Sequence, residues 1–222
     1  MQLTQILTIG NVPIYRDDEG AVCFRAGMTI NADGSPHAYA PSSAKLPALD
    51  YLANAGSPGN WWGIACNSAG KPYTQAAWHA APGYYVSTTA LINGAFPEDH
   101  PNRYLDSERY AFAVLPGGTY FAKLGDVGLA YNQSTGDNFY FACGDIGPKT
   151  KIGEGSMLLG RCLGLPIDPK SGGTSARIIN YVILPGSDPC YRDWEAKCKK
   201  AMDCVSAWGG LSRLKEASHL MQ

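Results

Sequence analysis

The chain has 222 residues and a mass of 23.7 kDa, and 45% of its residues are hydrophobic while 17% are charged. This length suits one well-buried domain or at most two small ones, and the composition excludes a disulfide-stapled mini-protein and a disordered chain. The formal net charge of −1 argues against a nucleic-acid-binding domain, which would carry a basic surplus.

The small net charge conceals an uneven distribution along the chain. The formal charge is −1 over residues 1–94, −4 over residues 95–145 and +4 over residues 146–222. An acidic groove would attract and orient protonated amines. An acidic face is also common on proteins that bind no such ligand.

Neither a metal site nor a membrane-spanning segment is predicted. The seven cysteines include no CxxC pair and the four histidines are dispersed, which does not fit metal-ligand spacing. No run approaches the ~18 uninterrupted apolar residues of a membrane helix, and residues 1–7 lack the basic and apolar regions of a cleavable export signal. We therefore expect no metal, no cofactor and no membrane span.

The first part of the chain predicts short strands. Two β-hairpins are expected in the first forty residues, with turns at 17–20 and 31–34, so Asp33 is interpreted as a turn residue. A short helix is predicted over 47–54. Further strands are predicted at 61–66, 84–91, 110–115, 127–131, 138–143 and 178–184.

Helical patterns follow in the second half. Apolar residues at three- and four-residue spacing from Met157 to Leu163 predict a helix that ends at Gly164. The Ser-Asp-Pro sequence at 187–189 is typical of a helix start, and an apolar stripe then runs to Trp208, followed by a second short helix over 211–221.

These elements predict a β-rich α+β fold. Its core is a mixed or antiparallel β-barrel with a few short helices and a C-terminal helical tail. We expect a catalytic domain over residues 1–187, with the tail, residues 188–222, packed on it.

The segment 141–156 carries the most informative polar pattern. A predicted strand ends at Asp145, a Gly-Pro loop follows, and Glu154 comes where a helix begins, with eight residues between the two acids. Two carboxylates on rigid elements around a loop suit acid/base cleavage of a glycosidic bond, and the glycines beside them leave room for a polymer. Strand-end Asp and helix-start Glu residues also serve as caps, so spacing alone leaves a structural role equally open.

Several blocks over about residues 78–187 occur in an order that resembles a known family. They are GDIGP at 144–148 with KIGEGS at 151–156, APGYYVSTTAL at 81–91, RYLDSE at 103–108 with VLPG at 114–117, and YV at 181–182 with LPGS at 184–187. Together they resemble the bacterial branch of glycoside hydrolase family 75, the chitosanase family.

The resemblance implies endo-hydrolysis of chitosan, a β-1,4 polymer of glucosamine, with inversion at the anomeric carbon. The family's essential Asp and Glu fall on Asp145 and Glu154. Inversion needs the two carboxyls about 6.5–9.5 Å apart, so that a water fits between base and sugar. Because a helix N-terminus stabilises an ionised carboxylate, we assign Asp145 as the acid and Glu154 as the base; a buried Glu154 would reverse this.

A second similarity involves the DIGP sequence at 145–148. It is similar to the Asp-Arg-Gly-Pro-Phe type segment of double-psi β-barrel enzymes, such as the rare lipoprotein A class of lytic transglycosylases and the expansins, whose Asp is a proton donor on cell-wall glycan. Ile146 and Lys149 replace the Arg and the Phe, so the similarity is narrower. It implies a double-psi type barrel and peptidoglycan as a rival substrate.

Five further residues are candidates for substrate binding: Trp62, Tyr85, Asp106, Glu108 and Lys151. Aromatic faces stack on sugar rings, and of two adjacent strand aromatics at most one lines a groove. Asp106 and Glu108, two apart in an extended segment, suit a subsite for substrate amines, and Lys151 suits a contact to a carboxylate or to substrate. Core packing for the aromatics and solvent exposure for the charged residues are the alternatives.

Three functions therefore compete. The first is an inverting endo-glycosidase acting on chitosan. The second keeps the same pair but cleaves peptidoglycan strands, as a hydrolase or lytic transglycosylase, in a secreted antibacterial effector with an immunity-type partner. The third is a glycan-binding module without catalysis. We expect a monomer that acts on polysaccharide outside the cytoplasm, exported by a non-classical or specialised route.

Overall fold

The computed structural model describes residues 1–187 and 194–221. The strands are β1 (Leu3–Ile9), β2 (Val12–Asp17), β3 (Val22–Asn31), β4 (Gly56–Ser57), β5 (Asn60–Trp61), β6 (Phe112–Pro116), β7 (Val127–Asn132), β8 (Asn138–Gly147), β9 (Glu154–Ser156) and β10 (Thr174–Leu184). The α-helices are α1 (Met157–Cys162), α2 (Trp194–Trp208) and α3 (Gly210–Leu220), and two short 3₁₀ helices span Leu52–Ala55 and Pro101–Arg103.

Six of these strands form a closed mixed barrel. Their order around the barrel is β3-β10-β7-β8-β6-β9, and β9 pairs back with β3. The pairs β3–β9 and β6–β8 are parallel, whereas the other four are antiparallel. The predicted β-rich fold with a barrel core, few helices and a C-terminal helical tail is confirmed, and its double-psi type stays a prediction.

The main core is filled by apolar side chains from the barrel strands, from β2, and from α1 and the residue that follows it. Fully buried members include Ile14, Met28, Leu159, Leu163, Ile179 and Tyr181. The rings of Phe24 and Tyr181 stack with centroids 4.6 Å apart. Because such interiors are packed about as densely as organic crystals, the barrel is a stiff support for side chains at its rim.

The N-terminal region forms a three-stranded meander. β2 pairs with β3 around the turn predicted at 17–20, where Asp17 Oδ1 accepts two backbone N–H groups at 2.9 and 2.8 Å. β3 then continues to Asn31, and residues 32–35 leave the sheet instead of reversing into a second hairpin. The predicted second hairpin is therefore absent, whereas Asp33 does lie in a turn, which the Ser35 N–H closes by donating to the Ala32 carbonyl at 3.1 Å.

Four of the later predicted strands are confirmed. Those at 110–115, 127–131, 138–143 and 178–184 correspond to β6, β7, β8 and β10, and β8 and β10 extend beyond the predicted ranges. The predicted helix that starts near Met157 is α1. Each of these four strands is rich in apolar residues and pairs with one barrel strand on each side.

The predicted strand at 84–91 does not form a regular ladder. The N–H groups of Tyr85, Val86 and Thr88 donate to carbonyls of three separate segments, at residues 39, 73 and 63. The predicted strand at 61–66 is also not regular. Only Trp61, the last residue of β5, takes part in the pairing of β4 with β5, and Ile64 and Cys66 form isolated bridges. Residues 32–111 are thus mostly loops that are joined by short, separate sets of backbone hydrogen bonds.

The helix predicted over 47–54 is reduced to the 3₁₀ turn Leu52–Ala55. The N–H groups of Leu49 and Asp50 donate to the carbonyls of His37 and Ala38, at 3.0 and 3.1 Å. Because these N–H groups bond to another segment, they are not available for helical hydrogen bonds.

The tail helices α2 and α3 pack on the outer face of the barrel. Val205, Trp208 and Leu214 join a cluster with Leu129 of β7 and Val182 of β10. None of the helices within residues 1–187 and 194–221 is long and apolar enough to cross a membrane. Asp188 and Pro189, predicted to start α2, lie outside the described residues.

Candidate active site

Three barrel strands converge on one pocket. Asn31 ends β3, Asp145 lies near the end of β8, and Glu154 begins β9. Together with residues of the 32–111 loops they line a pocket of about 620 Å³. Its polar and aromatic lining residues are Thr29, Asn31, Asp33, Tyr39, Asp50, Asn54, Trp62, Asp145, Lys151 and Glu154. The two predicted catalytic carboxyls therefore share one pocket.

Asp145 is nearly buried, with 8% of its surface exposed. Its Oδ1 accepts hydrogen bonds from the backbone N–H groups of Ala90 and Ile146, at 2.8 and 2.9 Å. Within the described part of the chain, Oδ2 accepts none. Burial, and then the negative charge of Asp33, raise the pKa of Asp145 well above its ordinary value, against those two hydrogen bonds. Asp145 can therefore keep its proton at a pH at which an exposed carboxyl has lost its own.

A β-bulge directs Asp145 toward the pocket. The register of β6 and β8 shifts at Gly144, so that Ala113 lies opposite Cys143 and Val114 opposite Asp145. Such an extra residue changes the direction in which the following side chains point, and bulges are common beside active sites. The register shift therefore sets the orientation of the acid.

The glycines beside the two acids pack against protein. A Cβ at Gly144 would lie 2.7 Å from the Phe112 side chain. Gly153 has φ +86°, and its Cβ would lie 2.6 Å from the carbonyl oxygen of Gly27. These glycines allow neighbouring segments to approach closely, so the expectation that they leave room for a polymer is wrong at both positions.

Glu154 lies in a strand and not at the start of a helix. Helix α1 begins at Met157 with Ser156 as its N-cap. Two side chains contact the Glu154 carboxylate instead of the predicted helix terminus. Lys151 Nζ lies 2.9 Å from Oε2, and Asn31 Nδ2 donates to Oε1 at 2.9 Å. An ammonium and an amide donor stabilise an ionised carboxylate, which suits a general base.

A third carboxyl, missed in the sequence, belongs to Asp33. The Asp33 N–H donates to Asn31 Oδ1 at 2.7 Å, which directs Asn31 Nδ2 toward the acids. That Nδ2 donates to Asp33 Oδ2 at 3.1 Å as well as to Glu154. The Tyr39 hydroxyl donates to Asp33 Oδ1 at 2.8 Å. The Asn31 amide thus links two acidic side chains.

The same surroundings perturb the titration of Asp33. Burial raises its pKa above the ordinary value, the hydrogen bonds from Tyr39 and Asn31 lower it, and the negative charges of Glu154 and Asp50 raise it further. The net direction is upward, as for Asp145.

Carboxyls outnumber cations in the pocket. Four acids line it, whereas Lys151 is the single cation among the described lining residues. Of these acids, only Asp145 belongs to the acidic segment 95–145. The negative charge of the pocket therefore arises from folding, which gathers acids from all three segments.

Trp62 is the one of the predicted aromatic binding residues that lines the pocket. It is 64% exposed, and its Nε1 donates to the carbonyl of Asn54 at 2.8 Å. Its neighbour Trp61 packs instead toward Tyr85, with ring centroids 6.2 Å apart. Tyr85 does not line this pocket. Substrate binding by either residue stays a prediction.

Asp106 and Glu108 lie outside the pocket, in a turn and not in an extended segment. Asp106 Oδ1 accepts the N–H of Glu108 at 2.9 Å. The Ser35 hydroxyl donates to Glu108 Oε2 at 2.6 Å, and His37 Nδ1 lies 3.7 Å from the same oxygen. Their role as an amine subsite stays a prediction, whereas Lys151 lies within the pocket.

One signal in the sequence could have identified Asp33. Asn31 and Asp33 follow a long alternating run at 22–31, the same strand-end placement that singled out Asp145. The Asp-Gly pair at 33–34 favours a hairpin turn, and that interpretation gives Asp33 no role in the site. Tyr39 and Asp50 carry no comparable signal.

The pocket is lined by acids, amides, aromatic side chains, a threonine, a lysine and apolar residues. No group of three or more His, Cys, Asp and Glu side chains within residues 1–187 and 194–221 is arranged to hold a metal ion. Neither the models of known protein families nor the curated proteins match this chain. Any assignment of function therefore depends on the chemistry of the pocket.

Proposed function

We propose that the protein is an endo-acting glycoside hydrolase that cleaves a β-1,4-linked amino-sugar polymer with inversion. The observation that carries the proposal is the contrast between two carboxyls in one pocket. Asp145 is buried with a raised pKa, whereas Glu154 is bound by an ammonium and an amide. Two carboxyls in different protonation states are what this reaction requires.

In the proposed reaction Asp145 is the general acid. Its Oδ1 is held by two backbone N–H groups, which leaves Oδ2 to carry the proton. As the bond between the anomeric carbon and the leaving oxygen breaks, that proton passes to the leaving oxygen.

Glu154 is the general base of the same step. It takes a proton from a water molecule whose oxygen forms the new bond to the anomeric carbon, on the opposite face of the sugar. The products are two shorter chains, and the proton on Glu154 returns through solvent to Asp145. A separation of about 6.5–9.5 Å between the two carboxyls stays a prediction of this mechanism.

The charge of the pocket favours chitosan as the substrate. Four acids against one lining cation produce a negative potential, which attracts the protonated amines of glucosamine. The exposed indole of Trp62 offers a face on which a sugar ring can stack. Because such polymers lie outside the cytoplasm, we propose that the enzyme acts there, as a monomer.

The test compares wild type with Asp145→Asn and Glu154→Gln on chitosan and on purified peptidoglycan. We expect new reducing ends and loss of viscosity with chitosan, an α-anomeric product by NMR, and rates reduced at least ~10³-fold in each variant. Asp203→Asn and Glu216→Gln, which alter exposed acids of the tail helices, are matched controls and should retain wild-type rates.

Three outcomes would overturn the proposal. Full activity in either pocket variant would exclude that residue from the chemistry. Cleavage of peptidoglycan but not of chitosan would mean that the same two acids act on the rival substrate. Binding of amino-sugar polymers without any turnover would leave a glycan-binding module.

A further inference from the structure

Asp33 is one of the two described pocket acids that the two-carboxyl reaction does not use, and Asp50 is the other. Asp33 lies two residues beyond β3, and both of its oxygens are held, by the Tyr39 hydroxyl at 2.8 Å and by Asn31 Nδ2 at 3.1 Å. A Cβ at Gly63 would lie 3.3 Å from its Oδ1, so the backbone also approaches it closely. An acid of an exposed turn would face water, whereas Asp33 is built into the wall of the pocket.

The charges around Asp33 favour a retained proton. The ionisable groups that face it are Asp145, Glu154, Asp50 and the Tyr39 hydroxyl. Among the described residues no cation bonds to Asp33 or Asp145. When two carboxyls share a site without a cation, ionising both is unfavourable, and the pair retains one proton to higher pH than either acid alone.

Among the described residues that line the pocket, the single cation, Lys151, is bound to the base. Lys151 Nζ lies 2.9 Å from Glu154 and stabilises its charge. The pocket therefore contains an ion pair around Glu154 and two further acids, Asp33 and Asp145, that bond to no cation among the described residues. Asn31 donates to both Asp33 and Glu154.

We propose that Asp33 and Asp145 hold one proton between them, and that Asp33 thereby keeps Asp145 in its acid form while Asn31 ties the pair to the base Glu154. This inference rests on the proposed function. Asp33 is a positioning residue, because it acts through Asp145 and Glu154 and not on the scissile bond.

The pair also accounts for the return of the acid to its starting state. When Asp145 gives its proton to the leaving oxygen, Asp33 and Asp145 are both carboxylates in one pocket. Their repulsion favours uptake of one proton from solvent, which balances the proton that Glu154 took from water and then releases. The carboxyl pair thus resets the acid after each cleavage.

The first experiment is Asp33→Asn, read out by the pH profile of kcat/KM and by ¹³C NMR titration of the carboxyls. The introduced amide can accept from Asn31 and donate to Tyr39, so the local hydrogen bonds are preserved. Without the neighbouring negative charge, the pKa of Asp145 should fall, and the alkaline limb should move to lower pH by about one unit or more.

Asp50→Asn is the matched control. Asp50 lies in the same pocket, but its carboxyl bonds to Asn54 and to the N–H of Tyr51, and not to the carboxyl pair. Its substitution should move the alkaline limb by less than half as much. Equal shifts in both variants would mean that any pocket charge suffices, which would overturn the pairing of Asp33 with Asp145.

Tyr39→Phe tests the same pair in the opposite direction. Loss of the hydroxyl removes a donor that favours the ionised form of Asp33, so the proton should move from Asp145 toward Asp33. The plateau of kcat/KM should fall several-fold while the alkaline limb does not move to lower pH. This variant also keeps the inference testable if Asp33→Asn does not fold.

The NMR titration separates this inference from the proposed function. An Asp145 pKa that is unchanged in Asp33→Asn would overturn the shared proton, whether or not a polymer is cleaved. A lowered Asp145 pKa in a protein that cleaves no polymer would support the carboxyl pair and overturn the proposed function instead.

Discussion

Two regions of the molecule bury a carboxylate in opposite ways. Asp17, beneath the tail helices, is 6% exposed and accepts four hydrogen bonds, two from backbone N–H groups and one each from Trp208 and Arg213. Asp145 is 8% exposed, accepts two on a single oxygen, and has the acid Asp33 as a neighbour.

The difference teaches how to distinguish a structural acid from a chemical one. A buried carboxylate with a guanidinium and a full set of donors is stabilised in its charged form. One that has an oxygen without a donor and lies beside another acid retains a proton that it can transfer. We infer that the tail node, defined as Asp17, Trp208 and Arg213, fastens the tail to the end of β2, whereas the pocket carries the proposed chemistry.

The largest effect should follow from breaking the tail node. Asp17→Ala removes the buried partner of Arg213 and should lower the free energy of unfolding by about 3 kcal/mol in urea denaturation. Asp18→Ala is the control, because Asp18 is an exposed partner of the same Arg213 at 3.5 Å and should cost less than about 1 kcal/mol. Equal costs would contradict the comparison.

The pH dependence of stability should sharpen the comparison next. An acid whose pKa is raised on folding binds its proton more tightly in the folded state, so stability falls as pH rises from the ordinary carboxyl pKa toward the raised one. Each unit of difference corresponds to about 1.4 kcal/mol. Between about pH 4 and pH 8, Asp145→Asn should reduce this slope in urea denaturation, and Asp203→Asn should not. Identical slopes in all three proteins would contradict a raised Asp145 pKa.

The smallest effect concerns Trp62 at the pocket rim. Unlike the buried Trp208, its exposed indole should contribute to sugar stacking and little to stability. Trp62→Ala should raise KM about two- to tenfold, equivalent to about 0.5–1.5 kcal/mol, with kcat and the melting temperature nearly unchanged. Trp78→Ala, at an indole that is 83% exposed and outside the pocket, is the control. The same rise in KM in both variants would argue against stacking on Trp62.

Much of the fold could be predicted because its long elements carry their own period. The apolar runs in β7 and β10 and the spacing of apolar residues in α1 are local properties of the sequence. The segments at 47–54 and 84–91 were mispredicted, since their backbone N–H groups bond to carbonyls distant in the chain, such as those of His37 and Tyr39. The pattern of neighbouring residues does not indicate which distant carbonyl such an N–H group will bind.

The residues of the candidate site also fall into two groups, those that the sequence predicts and those that it does not. Asp145 and Glu154 fall within one short segment, so their spacing and motif could be read directly. Asn31 is 123 residues from Glu154, and the two meet only because β3 and β9 pair in parallel. Asp33, two residues beyond Asn31, is likewise brought to Glu154 by the pairing of β3 with β9 that closes the barrel.

The position of β10 in the barrel has a consequence for synthesis of the chain. β10 is the last barrel strand in the sequence, yet it lies between β3 and β7. A nascent chain that ends at β9 therefore presents two open strand edges, which are templates for pairing with other chains. Synthesis proceeds at about 5–20 residues per second, so this exposure lasts for seconds and ends only when residue 184 has emerged and the barrel can close.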